Sequence, residues 1–240
     1  MSGYYDIHCH ILPEVDDGAE NFDMAVKMLK QEYEDGIRTI YVTPHYRMGV
    51  FETSEQKIDK QYEWILKKAE QIGAGMEIHL GREFHVNMDM IDILNKNSGI
   101  LMGESSCVLA EFSEKHDFCF IKERCYTLLS HGYQPIIAHI ERYPALTGDL
   151  ERIRFMKDMG VYLQVNADSI LGKNGFFIQR FCQKIMKCDF LHFVGSDAHD
   201  LTKRKPRMGL CIKYVRNKMG QDYTEKIFRE NPQKLIKRGR

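Results

Sequence analysis

Two rhythms of apolar residues alternate along this 240-residue chain. The first is a short run of β-branched and aromatic side chains, the kind that forms buried strands. Such runs lie at 4–7, 39–42, 77–80, 107–111, 135–138, 161–165 and 190–194. The second has helical spacing. Phe22, Val26, Leu29 and Tyr33 share one face, behind a capping Asn21 and ahead of a stop at Gly36. Ile58, Tyr62, Ile65, Ala69 and Ile72 form a second stripe that ends at Gly73. Residues 118–129, 150–159 and 176–186 add further helices, and 221–237 reads as two short ones broken at Asn231-Pro232. Strands alternating with helices predict a parallel α/β architecture. With no low-complexity linker, fixed-period repeat or break in composition, one domain over 1–240 is expected.

The residues that carry chemistry fall at one place in this scheme. His8 and His10 close the first run, and His45 closes the second after Thr43-Pro44. Glu83 follows the third run, Glu111 ends the fourth, His139 ends the fifth, and Asp197 and His199 follow the seventh. Asp17 lies in the loop after the first. In α/β barrels the carboxyl ends of the strands carry the active site. Each residue alone has an ordinary reading: a structural histidine pair, a surface carboxylate, a hydrogen-bonded turn. Nine of them on one predicted rim do not. Imidazole with carboxylate suits zinc, manganese or iron. Nine ligands exceed the roughly four to six that one divalent ion takes, so two or three ions sharing carboxylates are expected. Ions ~3.5–4 Å apart are the usual apparatus for hydrolysing phosphate esters. His79, His192, His116 and His131 read as satisfied or solvated. His85, two residues past Glu83, stands open between supporting a ligand and plain solvation.

Composition narrows the field. Hydrophobic residues make up 43% and charged residues 28%, as in soluble globular domains. Lysine plus arginine equals aspartate plus glutamate at 34 each, which argues against nucleic acid held by bulk charge. The basic tail Lys234, Lys237, Arg238 and Arg240 reads as solvated. The segment Tyr4-Tyr5-Asp6-Ile7-His8 is polar and strand-like rather than signal-like, and no apolar run approaches the ~20 residues of a membrane helix. A cytoplasmic protein without membrane insertion is expected. The seven cysteines form no C-x-x-C pair and read as reduced core filler. None has an arginine six residues on, so the nucleophile loop of cysteine-dependent tyrosine phosphatases is absent.

The ordered motifs Asp6-Ile-His8-Cys-His10, Asp16-Asp17-Gly18, Thr43-Pro-His45, Ile137-Ala-His139-Ile-Glu141-Arg142-Tyr143 and Ser196-Asp197-Ala-His199 resemble the PHP (polymerase and histidinol phosphatase) superfamily. Phe51-Glu52-Thr53, Ala110-Glu111-Phe112-Ser113 and the run Ala138–Tyr143 are similar to its branch of bacterial protein-tyrosine phosphatases from capsular and exopolysaccharide loci. The resemblance extends to the closing Asn231-Pro232-Gln233-Lys234.

It implies a distorted TIM-like (β/α)7 barrel of the PHP type with up to three ions, manganese most of all, iron or zinc next. Carried over by motif, His8, His10, Glu83 and Asp197 would hold one ion. Glu83, Glu111 and His139 would hold a second, and Asp17, His45 and His199 a third. Arg142 and Arg204 match arginines of that site and would clamp phosphate, with Arg47 as a further candidate. The implied activity is phosphotyrosine hydrolysis. The implied partner is a tyrosine autokinase that controls polysaccharide export. The competing readings are another phosphoesterase of the superfamily, acting on histidinol phosphate or nucleotides, a metal-bound module without activity, and a nucleic-acid-processing enzyme, which the basic tail could suggest.

Overall fold

The computed structural model describes residues 3–237. Arg238 and Arg240 of the basic tail lie outside the described residues. Among the described residues nine strand segments are present: β1 (Tyr4–Cys9), β2 (Ile37–Val42), β3 (His45–Tyr46), β4 (Glu77–Leu80), β5 (Glu83–His85), β6 (Cys107–Glu111), β7 (Gln134–Ile137), β8 (Tyr162–Asn166) and β9 (Phe193–Gly195). They pair in parallel in the orders β1-β2-β4 and β3-β5-β6-β7-β8-β9.

Nine segments stand where the hydrophobic runs predict seven because two chain passages bend. Thr43-Pro44 separates β2 from β3, and Gly81-Arg82 separates β4 from β5. Pro44 has no N–H to give to a ladder. Arg82 holds the bend: its Nε donates to the Pro44 carbonyl at 3.0 Å and an Nη to that of His45 at 2.7 Å. At the other margin, β1 reaches the chain just past β9. The Asp197 amide donates to the His8 carbonyl at 2.8 Å and the His10 amide to that of Ala198 at 2.9 Å. The parallel sheet is therefore strongly curled.

Helices cover its outside. α1 (Phe22–Glu34) starts where expected, with the Asn21 side chain accepting the Met24 amide at 2.9 Å. α2 (Glu55–Ile72) is capped by Ser54 and stops at Gly73. The helices predicted at 118–129, 150–159 and 176–186 are present as Phe118–Ser130, Leu150–Asp158 and Phe176–Lys187. Met208–Met219, not predicted, begins without a capping side chain, though Met208, Cys211, Ile212 and Val215 bury one stripe. The tail does not break at Pro232. It runs helically from Gln221 to Lys237, and Pro232 is accommodated in the first turn of its last segment. Among the described residues no helix is long and apolar enough to cross a membrane.

Tyr5, Ile7, Tyr41, Leu109, Ile136, Ala138 and Phe193 pack inside the curl, whereas Cys9, Val42, Ala110, Ile137 and Val194 pack outward against helices. A register shift between Asp6 and Cys9 changes the parity of β1. Tyr5 and Ile7 point inward below the shift, and His8 and His10 point inward above it. Asp6 points outward, under α1, to Glu32; both carboxyls are fully buried. Burial, with Asp6 beside it, pushes the Glu32 carboxyl well above the usual carboxylate range.

A carboxyl that keeps its proton in the folded state, while the unfolded chain releases it near the ordinary 4.5, costs stability as pH rises through that value. Glu32→Gln removes this cost. The variant should melt above the parent protein at pH 8, with the gap closing as pH falls to about 4. Thermal denaturation at both pH values reads the effect, and an equal gap at both would refute it.

Candidate metal centre

Every ligand suggested by the sequence sits at the carboxyl-terminal mouth of the curl except Asp17, which reaches it from the first loop. That loop packs tightly: a Cβ on Gly18 would stand 2.3 Å from the His10 carbonyl. Gly195 is constrained likewise, since its Cβ would meet His8 Cβ at 2.5 Å. His139 and Asp197 take left-handed backbone at φ 33° and 52°, which is uncommon for residues with a side chain. Their neighbours hold them in this strained region, as is frequent where side chains must be aimed at a site.

Ligand atoms of His8, His10, Glu83 and Asp197 lie within 4.8 Å of one another, as the resemblance implied. His10, Asp17, His45 and His199 form a second group, which adds His10 to the expected three. Glu111 gathers with His45 and Glu83. His139 enters through Glu83, its Nε2 2.6 Å from Oε1. Glu83 is thus common to the arrangement. Its other oxygen, Oε2, has His8 Nε2 and His10 Nε2 at 3.2 Å and His45 Nδ1 at 3.1 Å.

Hydrogen bonds behind the rings set which nitrogen faces inward. His10 Nδ1 donates to Asp16 Oδ2 at 2.8 Å, and His199 Nδ1 to the Asp197 carbonyl at 3.0 Å. His8 Nδ1 faces Gln164 Oε1 at 3.4 Å, and His139 Nδ1 is 3.1 Å from the Tyr143 hydroxyl. For His8, His10 and His199, a proton held on Nδ1 by these acceptors leaves a lone pair on Nε2 for the cluster. Asp16 also accepts the His45 and Gly18 amides, at 2.9 and 3.0 Å. His85, open in the sequence, lies 3.0 Å from Glu111 Oε2 and supports that ligand.

The donors fit divalent cations. Asp16, Asp17, Glu83, Glu111 and Asp197 crowd the mouth; Arg142 and Arg204 both pair with one of the five, Asp197, at 2.6 Å to Oδ2 and 2.7 Å to Oδ1, and Arg82 lies near Asp16. Burial raises the pKa of Glu83, but His8, His45, His10 and His139 outweigh it and hold the carboxyl well below the usual range. Burial opposes charge on His10 too, yet Asp16 and Glu83 lift its pKa to about 10. These groups call for positive charge between them. Glu83 Oε2 and His199 Nε2 are buried and make no well-aligned hydrogen bond despite the polar atoms around them, as atoms that face an ion would. Cysteine takes no part: Cys9 points outward and its thiol is pushed up by burial.

Motif reading missed the supports. Asp16 was legible only as the neighbour of Asp17. Gln164 and Asn166 end β8, whose run carries no ligand, yet Gln164 Oε1 also accepts the His139 amide at 2.7 Å and Asn166 Nδ2 donates to Asp197 Oδ2 at 2.7 Å. The strand-end position was their only signal. His79, His116, His131 and His192 lie outside the ligand groups found among the described residues.

A curled parallel sheet with imidazoles and carboxylates at its carboxyl-terminal mouth defines the class of α/β metallohydrolase-like proteins. The chain belongs to the capsular polysaccharide synthesis family CpsB/CapC, whose family model matches residues 4–237. It is 33% identical over 236 residues to the tyrosine-protein phosphatase CpsB of Streptococcus pneumoniae, covering 96% of this chain and 97% of that one. Among solved structures it resembles one from work on YwqE of Bacillus subtilis and CpsB of S. pneumoniae, described as metal-dependent tyrosine phosphatases. The TM-score is 0.86 at 27% identity, over 98% and 94% of the two chains. A histidinol phosphate phosphatase from Lactococcus lactis shares the fold, with TM-score 0.60 at 14% identity over 90% and 92%.

Asp16→Ala should weaken manganese binding by about 10–100-fold, because loss of a ligand's hydrogen-bonded support costs that much in other metal sites. Calorimetric titration of the metal-stripped protein measures it. Unchanged affinity would show that Asp16 does not orient His10.

Proposed function

We propose that this chain is a metal-dependent protein-tyrosine phosphatase. The observation that carries the reading is the juxtaposition of the imidazole–carboxylate cluster with two arginines at its rim. His8, His10, Glu83 and Asp197 would hold one ion, Glu83, Glu111 and His139 a second, and Asp17, His45 and His199 a third. Two or three manganese ions suit these hard oxygen and imidazole donors; iron or zinc suits them as well. When bound, the ions supply a Lewis acid and an activated water.

The chain's own residues do the rest. Arg142 and Arg204 have side chains about one-third exposed, so their guanidinium groups face the space where a substrate enters. Planar N–H pairs bind two phosphoryl oxygens and offset charge that builds in the transition state. Arg47 is exposed on the segment after His45 and can add a third contact. The leaving group favours an aryl ester. Phenolate leaves with a pKa of about 10, so it needs less protonation than a seryl alkoxide.

The finer architecture belongs to the same reading. Counting β2 with β3 and β4 with β5 as two bent strands gives a (β/α)7 barrel of the PHP type, and one domain then spans 1–240. The parallel pairing of both halves and the contact of β1 with the end of β9 support that count. Seven cysteines, none of them in a disulfide among the described residues, suit a reducing cytoplasm. The partner we infer is a phosphotyrosine protein, specifically the tyrosine autokinase of a polysaccharide-export system, in keeping with the family to which the chain belongs.

Purified protein with manganese should hydrolyse a phosphotyrosyl peptide in preference to histidinol phosphate, and chelator should abolish turnover. The reverse preference would assign it to another branch, and no turnover of either ester would leave a metal-bound module. Arg142→Ala should lower kcat by about 100-fold, comparable to losing a transition-state donor. Its metal content should stay near that of the parent protein, because Arg142 sits on Asp197 Oδ2 whereas His8 and His10 face Oδ1. Loss of metal would make Arg142 part of the scaffold.

A further inference from the structure

The segment between β3 and α2 is a small hairpin that leaves the metal cluster directly. It starts at His45, turns at Gly49 and returns at Phe51. The Phe51 amide donates to the Arg47 carbonyl at 2.8 Å, and the Arg47 amide to the Phe51 carbonyl at 3.0 Å. The Phe51 ring stacks on His45, with centroids 4.9 Å apart and planes 13° from parallel. One side of the hairpin is therefore fixed to a ligand of the cluster.

Its tip is apolar and open to solvent. Met48 is 50% and Val50 59% exposed. Met88, on the loop after β5, is 70% exposed, and the two loops are joined where Asn87 Nδ2 meets Met48 Sδ at 3.6 Å. Three large apolar side chains thus stand on loops that directly follow the strands carrying His45 and Glu83. Single exposed apolar residues need no explanation, but a cluster continuous with a polar site marks a contact surface. Methionine suits a surface that must adapt to varied side chains.

We propose that this hairpin, with Met88, is the wall of the site that selects the substrate's organic half: the phenyl ring of phosphotyrosine lies against Phe51, and an apolar side chain next to it in the substrate lies on Met48 and Val50. The proposal rests on the phosphatase reading and adds the class of peptide that the site prefers. The charged groups deal with the phosphate, which every phosphomonoester carries alike, so discrimination falls to this apolar rim.

The test compares two phosphotyrosyl peptides that differ only beside the phosphotyrosine, leucine in one and serine in the other, with the manganese-loaded protein and its Met48→Ser/Val50→Ser variant. Both substituted side chains are exposed, so the fold is spared. The parent protein should favour the leucine peptide by about 5–20-fold in kcat/KM, the range expected for partly burying one apolar side chain on an open wall, and the variant should lose most of that preference. Fluorescence anisotropy of labelled peptides should give the same ratio in Kd, which decides the hairpin's role even without turnover. Peptide selection without hydrolysis would overturn the phosphatase reading and keep the wall. No preference in the parent protein, or one that survives in the variant, would overturn the wall.

Discussion

The centre of this structure is a concentration of negative charge that the protein cannot neutralise with its own permanent cations. Asp16, Asp17 and Glu111 gather around Glu83 and Asp197, five carboxylates answered by Arg142 and Arg204 on Asp197 and by Arg82 near Asp16. At an effective dielectric near 20, each pair of like charges about 4 Å apart repels by about 4 kcal/mol. Around Glu83 Oε2 alone, three imidazole nitrogens stand within 3.2 Å. Divalent cations held by these side chains would relieve the carboxylate repulsion and give the inward nitrogens and oxygens a common positive partner.

The fold serves this arrangement by bending and by changing face. Without the kinks at Thr43-Pro44 and Gly81-Arg82, His45 and Glu83 would continue the straight runs of β2 and β4. The Arg82 bonds across both kinks keep the two ligands adjacent. The register shift in β1 turns His8 and His10 inward, and the left-handed residues His139 and Asp197 aim their side chains at the same space. Fixed scaffolding around a charged site is what pre-organisation for hydrolysis requires.

Much of this was legible in the order of residues. Short apolar runs and stripes of period 3.6 locate most elements, because strands of a parallel sheet are buried and each helix must bury one face. The candidate ligands stood out because most lie at or just past the end of an apolar run, and strand ends share one rim in a parallel α/β fold. What stayed hidden depended on distance in the sequence. Arg82 bracing the bend, Gln164 and Asn166 behind His139 and Asp197, and the parity change at Asp6 leave no periodic mark. Asp16 and Asp17 are chemically identical neighbours, and only geometry separates the one that supports His10 from the one that faces the cluster. Pro232 read as a break, although proline is tolerated in the first turn of a helix.

Anomalous diffraction from crystals grown with manganese, recorded on both sides of its absorption edge, bears most directly on the claim that these side chains jointly grip divalent ions. The account predicts two or three anomalous peaks inside the cluster, with Glu83 oxygens bonded to at least two of them. Density showing the same side chains collapsed onto one another, and no anomalous signal among them at saturating manganese, would contradict it.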